Sequence, residues 1–105
     1  MILKKTANPK RAVPPRLSNY TKVFLKDWQR LSHASRYDNT RLKEAMLLLI
    51  ANDAPLGPEW FDHALKGEWS DHRECHIGGD FLLIYQATEN RINFVRAGTH
   101  SELFS

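Results

Sequence analysis

The stretch RECHIGGDFLLIYQATENRINFVRA, Arg73–Ala97, decides the fold. Its centre, Phe81-Leu82-Leu83-Ile84-Tyr85, is apolar at every position, as a strand covered on both faces must be. Gly78-Gly79 precedes it and Thr88-Glu89-Asn90 follows it, and both have turn composition. Three strands are therefore expected, about Arg73–Ile77, Phe81–Ala87 and Arg91–Ala97, forming an antiparallel meander with the second strand central. Upstream the periodicity changes from strand to helix. Thr21 is placed to cap a helix running to about Ala34, in which Phe24, Trp28 and Leu31 form an apolar stripe. Lys22, Lys26 and Arg30 recur on another face of it. Asp38, Asn39 and Thr40 all suit the start of a second helix, about Arg41–Asn52, which buries Leu42, Ala45, Met46, Leu49 and Ile50. Arg16–Tyr20 reads as a possible short strand. Residues 54–71, with Pro55, Gly57, Pro58 and Gly67, read as a long loop, a type of connection that often carries function. The expected class is α+β, with two N-terminal helices on one face of the sheet and a site on the other.

The chain has 105 residues, one ordinary domain, with enough apolar content (42%) for a single core. No run approaches the ~18–20 apolar residues of a membrane span. The stretch MILKKTANPKRAVPPR has charge but no apolar centre, so it does not read as a secretory signal. Cys75 is the one cysteine, which excludes an internal disulfide and fits a reducing cytoplasm. Residues 1–15, rich in proline and bases, read as a flexible basic arm ahead of a domain at 16–105. The net charge of +3 is unevenly spread. Residues 1–36 hold nine Lys or Arg against one acid, Asp27, and residues 37–105 hold six against eleven. Such a split suits a phosphate-rich or acidic partner for the N-terminal part. It equally suits a solvated basic helix face and tail.

Polar residues punctuate the C-terminal part: His63, His76, Asp80, Arg96 and His100. A metal at His72 and His76 is disfavoured, since four residues of strand separate them by ~13 Å. The lone thiol alternates with His76 on a strand and reads as core packing rather than as a nucleophile. Acid–base chemistry on RNA remains. Attack by a ribose 2′-OH needs a base for its proton, an acid for the leaving 5′-oxygen and a cation for the charge on the phosphate. Histidine suits the first two roles and arginine the third. A tight Gly78-Gly79 turn would point His76 and Asp80 to opposite faces, and a longer loop would bring them together. The spacing leaves both open.

The segments DHALKGEW (62–69), DHRECHIGGDFLLIYQ (71–86) and INFVRAGTHSELF (92–104), with YTKVFLKDWQRL (20–31), resemble the YafQ branch of the RelE-like toxins of bacterial type II toxin–antitoxin systems. The resemblance covers about Tyr20–Phe104. It implies a RelE-like α+β fold, with two N-terminal helices packed on a curved antiparallel sheet. It implies an endoribonuclease that enters the ribosomal A site and cuts the mRNA being translated, without a metal or other cofactor. The partners it implies are the 70S ribosome, mRNA and a neutralising antitoxin that also binds operator DNA; no membrane is involved. The family's functional positions fall on His63, His76, Asp80, Arg96, His100 and Phe104. Lys22, Lys26 and Arg30 would meet ribosomal RNA, and Lys66 and Arg73 are further phosphate candidates. The alternatives are a toxin of the same fold that poisons a protein target such as DNA gyrase, or an RNA- or ribosome-binding module without cleavage.

Overall fold

In the computed structural model, residues 13–34 and 38–104 are described; most of the expected basic arm and Arg36 fall outside them. Thr21 caps the first helix, accepting from the Phe24 amide at 2.9 Å, a contact worth about 1 kcal/mol. The helix α1 then runs Lys22–Ser32. Asp38 caps α2, Asn39–Ala51, through the Arg41 amide at 3.0 Å. The five strands are β1 (Leu17–Tyr20), β2 (His63–Ala64), β3 (Arg73–Gly78), β4 (Phe81–Ala87) and β5 (Arg91–Thr99), and a short helix α3 (His100–Phe104) follows. They form one sheet in the order β1-β5-β4-β3-β2, with β4 central as its sequence requires. The long loop contains β2 and two single 3-10 turns, Pro58–Trp60 and Gly67–Trp69. No helix among the described residues is long and apolar enough to cross a membrane.

The sheet is mixed rather than wholly antiparallel. β1 pairs parallel to the first half of β5, from Leu17 opposite Arg91 to Tyr20 opposite Phe94. The chain then turns into α1, which takes over the same edge. The Thr21 hydroxyl donates to the Val95 carbonyl at 2.7 Å, and the Asp27 carboxylate accepts from the Ala97 amide at 3.1 Å. Strand below and helix above thus satisfy one continuous edge of β5, which otherwise would offer open hydrogen-bonding groups.

Alternation along the strands divides the core in two. Cys75, Ile77, Phe81, Leu83, Tyr85, Ile92, Phe94 and Ala97 pack beneath α1 and α2 against Phe24, Leu31, Leu42, Ala45 and Leu49. Leu82 and Ile84 form the floor of the opposite, open face, where Leu103, Leu65, Trp69 and Val95 lean on them. Two irregularities set what this face displays. Between β3 and β4 the register shifts so that Gly78 pairs with Phe81 and Ile77 is extra. The Ile77 carbonyl, off the ladder, accepts from Arg41 Nε at 2.7 Å. The turn is therefore Gly79-Asp80, and Gly79 takes the left-handed conformation it needs (φ 53°). Asp80 sits in the turn rather than opposite Ile77, and its carboxylate meets the His100 amide. On β5, Arg96 pairs with Ile84 and Phe94 with Tyr85, so Val95 is the extra residue. That bulge puts Arg96 in the open-face row without displacing Phe94 from the core.

Candidate active site

The residues singled out from sequence gather around the apolar floor in two groups. At the β2–β3 edge, His63 and Glu74 are register partners, and His76 lies two positions along the same face. Glu74 is only 4% exposed, yet its Oε1 lies 3.3 Å from His63 Nε2 and 3.5 Å from His76 Nε2. The two imidazoles are 6.0 Å apart, and Phe61 stands edge-on to His76 at 5.7 Å. His63 Nδ1 is 2.8 Å from the Phe61 carbonyl. A carbonyl only accepts, so Nδ1 carries the hydrogen, and Nε2 is the atom left to take or give a proton. Glu74 was not a sequence candidate. Its signal was present: positions 74 and 76 share a face on a strand whose positions 75 and 77 are apolar.

The second group sits where β5 meets α3. Thr99 and Glu102 form a capping box: Glu102 Oε1 accepts from the Thr99 amide at 2.7 Å, and Thr99 Oγ1 accepts from the Glu102 amide at 3.3 Å. This box starts α3 at His100. The Asp80 carboxylate accepts from the His100 backbone amide at 3.3 Å, tying the β3–β4 turn to the start of that helix. The His100 ring lies 4.8 Å from Phe104, Phe104 lies 5.7 Å from Trp69, and Trp69 lies 5.2 Å from His72. Trp69 and His72 were not singled out as partners of Phe104. Gly98 permits the approach of α3, because a Cβ there would fall 2.8 Å from Glu102 Oε1. His76 and Gly98 flank Leu82 in one row, and Glu74 and Arg96 flank Ile84 in the next. Two strand spacings, ~10 Å, separate the groups.

Arg96 is held from the α1 side. Its Nε and Nη2 reach the Asp27 carboxylate at 2.8 and 3.2 Å, and Asp27 is 2% exposed. Burial raises the Asp27 pKa, but the hydrogen bonds from Arg96, Ala97 and Arg30 and the charge of Arg96 outweigh it, leaving the carboxyl below its ordinary value. The hydrogen bond to Asp27 likewise raises Arg96. Nη1 and the second hydrogen of Nη2 remain for a phosphate.

The charged residues assigned to RNA divide. Lys22, Lys26 and Lys66 are exposed. Arg30 is committed to Asp27 at 2.8 Å and to the Ala97 carbonyl at 3.3 Å. Arg73 lies on the helix side of β3, bound to Asp62 at 3.1 Å, while Tyr85 donates to the same carboxylate at 2.6 Å. It is removed from the open face by strand parity, since Cys75 and Ile77 on its side are core. Cys75 is fully buried, and burial pushes its thiol up to about 12, so the core reading of that residue stands.

The pair weighed from the sequence, His72 and His76, is not the one that the fold brings together with a third donor. His63, Glu74 and His76 offer ligand atoms all within 4.8 Å of one another. Two imidazoles and a carboxylate are a donor set that zinc or copper accepts, with positions left for water.

A RelE-like sheet that carries histidines, acids and an arginine around the face opposite α1 and α2 defines a class, the small toxins of bacterial toxin–antitoxin systems. Residues 16–105 match the family described as "Bacterial toxin of type II toxin-antitoxin system, YafQ", and the chain belongs to that family. It is 39% identical over 85 residues to the mRNA interferase toxin YafQ of Escherichia coli K12, covering 81% of this chain and 91% of that one. The E. coli DinJ–YafQ toxin–antitoxin complex superposes with a TM-score of 0.77 at 37% identity, over 87% of this chain and 99% of that one. A metal-bound toxin from Helicobacter pylori superposes with a TM-score of 0.74 at 41% identity, over 85% and 99%.

Proposed function

We propose that this toxin is an endoribonuclease that cuts mRNA in the ribosomal A site by attack of the adjacent 2′-OH on the scissile phosphate. One observation carries the reading: imidazoles stand on both sides of the Leu82/Ile84 cluster, His63 and His76 at the β2–β3 edge and His100 at the start of α3, with the Arg96 guanidinium on the β5 side in the row of Ile84 and Glu74. A phosphate held between these two groups would meet proton-transfer groups from either side, as in-line displacement requires. His100 or His76 takes the 2′-OH proton or supplies one to the leaving 5′-oxygen, and Asp80 fixes the turn and helix start that position His100. His63, with Nε2 facing the Glu74 carboxylate at 3.3 Å, serves as acid/base or phosphate contact. Arg96 stabilises the charge that develops on the phosphate. Phe104 orients a base by stacking.

The E. coli relative's designation as an mRNA interferase supports this chemistry, and the DinJ–YafQ complex supports an antitoxin as the neutralising partner. That antitoxin would also bind operator DNA. The three histidines and Arg96 have no part in poisoning a protein target by binding alone, so cleavage accounts for more of the surface than either alternative. The test is purified toxin added to ribosomes programmed with defined mRNA. Cuts at the A-site codon are expected, with far fewer in free RNA, and His100→Ala should abolish them. Intact mRNA on ribosomes whose translation is nevertheless stopped would overturn the reading in favour of a binding module.

A further inference from the structure

Beyond the two groups around the floor, the open face carries an array of side-chain amides with no part in the chemistry above. Asn19 on β1, Asn93 on β5 and Gln86 on β4 are successive register partners across three adjacent strands. Strand spacing places one amide every ~4.8 Å. Asn93 Nδ2 donates to Gln86 Oε1 at 3.5 Å, a long contact that leaves most of both amides' hydrogen-bonding capacity unused. These three line an open bowl of about 740 Å³, with Thr88, Arg91 and Asp71 on its rim.

Asp71 adjoins His72, and from His72 the rings of Trp69, Phe104 and His100 follow at 5.2, 5.7 and 4.8 Å. Every step lies within the range of ring-to-ring contact. A row of four rings therefore leads from the amide array to a proposed acid/base residue.

We propose that this row and the bowl form one extended subsite for single-stranded RNA, in which Trp69 stacks on a base beside the cut and the Asn19/Asn93/Gln86 amides read the edge of a neighbouring base. The proposal rests on the endonuclease reading. Single-stranded RNA is read by aromatic stacking and by hydrogen bonds to unpaired base edges, commonly across an open sheet face. A primary amide presents a donor and an acceptor together, the pairing a base edge such as adenine's requires, and Arg91 supplies a cation for the backbone. A protein partner is a poorer match. Beyond Ala87 and Ile92 the bowl is lined by residues with polar or charged side chains, whereas α1 and α2 carry a group of exposed apolar side chains, Val23, Leu25, Leu47 and Leu48, that would suit a protein partner better.

Two measurements test it. The first compares wild type with the combined variant Asn19→Ala, Gln86→Ala, Asn93→Ala on programmed ribosomes, using mRNAs that differ in the base next to the cut. The expected result is kcat within about twofold of wild type, with base discrimination falling about tenfold, the scale of one lost bidentate amide–base pair. Unchanged discrimination, or a fall in kcat alone, would overturn the proposal. The second needs no bowl variant: side-chain amide NMR signals of His100→Ala protein titrated with a short single-stranded RNA. Shifts at Asn19, Gln86 and Asn93 together with the Trp69 indole are expected. Shifts confined to the helices would overturn it. If wild type itself fails to cut any mRNA, the endonuclease reading falls, an outcome distinct from a variant that cuts without losing its preference.

Discussion

At the scale of single residues, Glu74 decides how the histidines work. A carboxylate that is 4% exposed is costly unless its neighbours are cationic or hydrogen-bonded to it. Its neighbours are His63 and His76, so the orientation of both rings is bound up with Glu74. Replacing Glu74 by Gln keeps the shape and removes the charge. That change should lower ribosome-dependent cleavage by about tenfold or more, at the low end of what positioned acid–base groups contribute. Single-turnover rates on programmed ribosomes would check it, and a rate equal to wild type would remove Glu74 from the mechanism. The same three side chains make a second expectation. Zn²⁺ or Cu²⁺ at stoichiometric concentration should bind His63, Glu74 and His76 and inhibit cleavage by occupying the imidazole nitrogens, and a chelator should restore activity. Calorimetry showing no metal binding, or binding that survives in the Glu74→Gln, His76→Ala variant, would contradict it. A third residue-scale expectation concerns Cys75. With its thiol pushed up to about 12 by burial, it should react with thiol reagents at pH 8 only after denaturation.

At the scale of elements, α1 does more than cover the core. Through Asp27 it completes the edge of β5 and fixes the guanidinium of Arg96, so docking of this helix and positioning of the phosphate group are one event. Asp27→Asn should therefore destabilise the fold by about 1–3 kcal/mol, the scale of lost charge-assisted hydrogen bonds to arginines that are themselves partly exposed. It should also slow cleavage at temperatures where the variant is still folded. The pH dependence has a definite sign. The Asp27 carboxyl titrates below its ordinary value of 3.8, so its stabilising contribution is present above that pH. It is lost as pH falls through the lower folded value. Denaturant midpoints measured from pH 5 downward should show an acid limb in wild type that is smaller in Asp27→Asn. Elements also show what the sequence could convey. The three long strands, the two helices and both helix caps were legible because apolar runs, turn residues and cap residues lie next to one another. The parallel pairing of β1 was not, since LSNY meets a partner more than seventy residues away and nothing local encodes the direction. The start of α3 was legible in principle, because Thr99–Glu102 is a capping box, but five residues are too few for a helical period. Of the site, the residues could be named from their motifs. Their grouping depended on two bulges, at Ile77 and Val95, and a bulge leaves almost no mark in sequence.

At the scale of the whole molecule, the charge asymmetry seen in the sequence is only partly available to a partner. Of the three bases spaced along α1, Arg30 is consumed by Asp27 and the Ala97 carbonyl, while Lys22 and Lys26 are exposed. On this helix face, long-range attraction to an RNA surface then rests mainly on those two lysines. The open face supplies recognition and chemistry; the α1 face supplies non-specific attraction, which strengthens as salt is lowered. These contributions separate by experiment. Lys22→Glu with Lys26→Glu should weaken ribosome association in a salt-dependent way, lowering the slope of log affinity against log salt by roughly one for each phosphate that is no longer neutralised. Once the toxin is saturated on ribosomes, the cleavage rate should match wild type, because neither lysine touches the floor formed by Leu82 and Ile84. Arg30→Ala should behave differently: it leaves Asp27 with fewer partners, so its main effect should be on stability and on Arg96. If the double lysine variant instead lowers the saturated rate and leaves the salt slope unchanged, α1 belongs to the catalytic surface and the division of labour between the two faces is wrong.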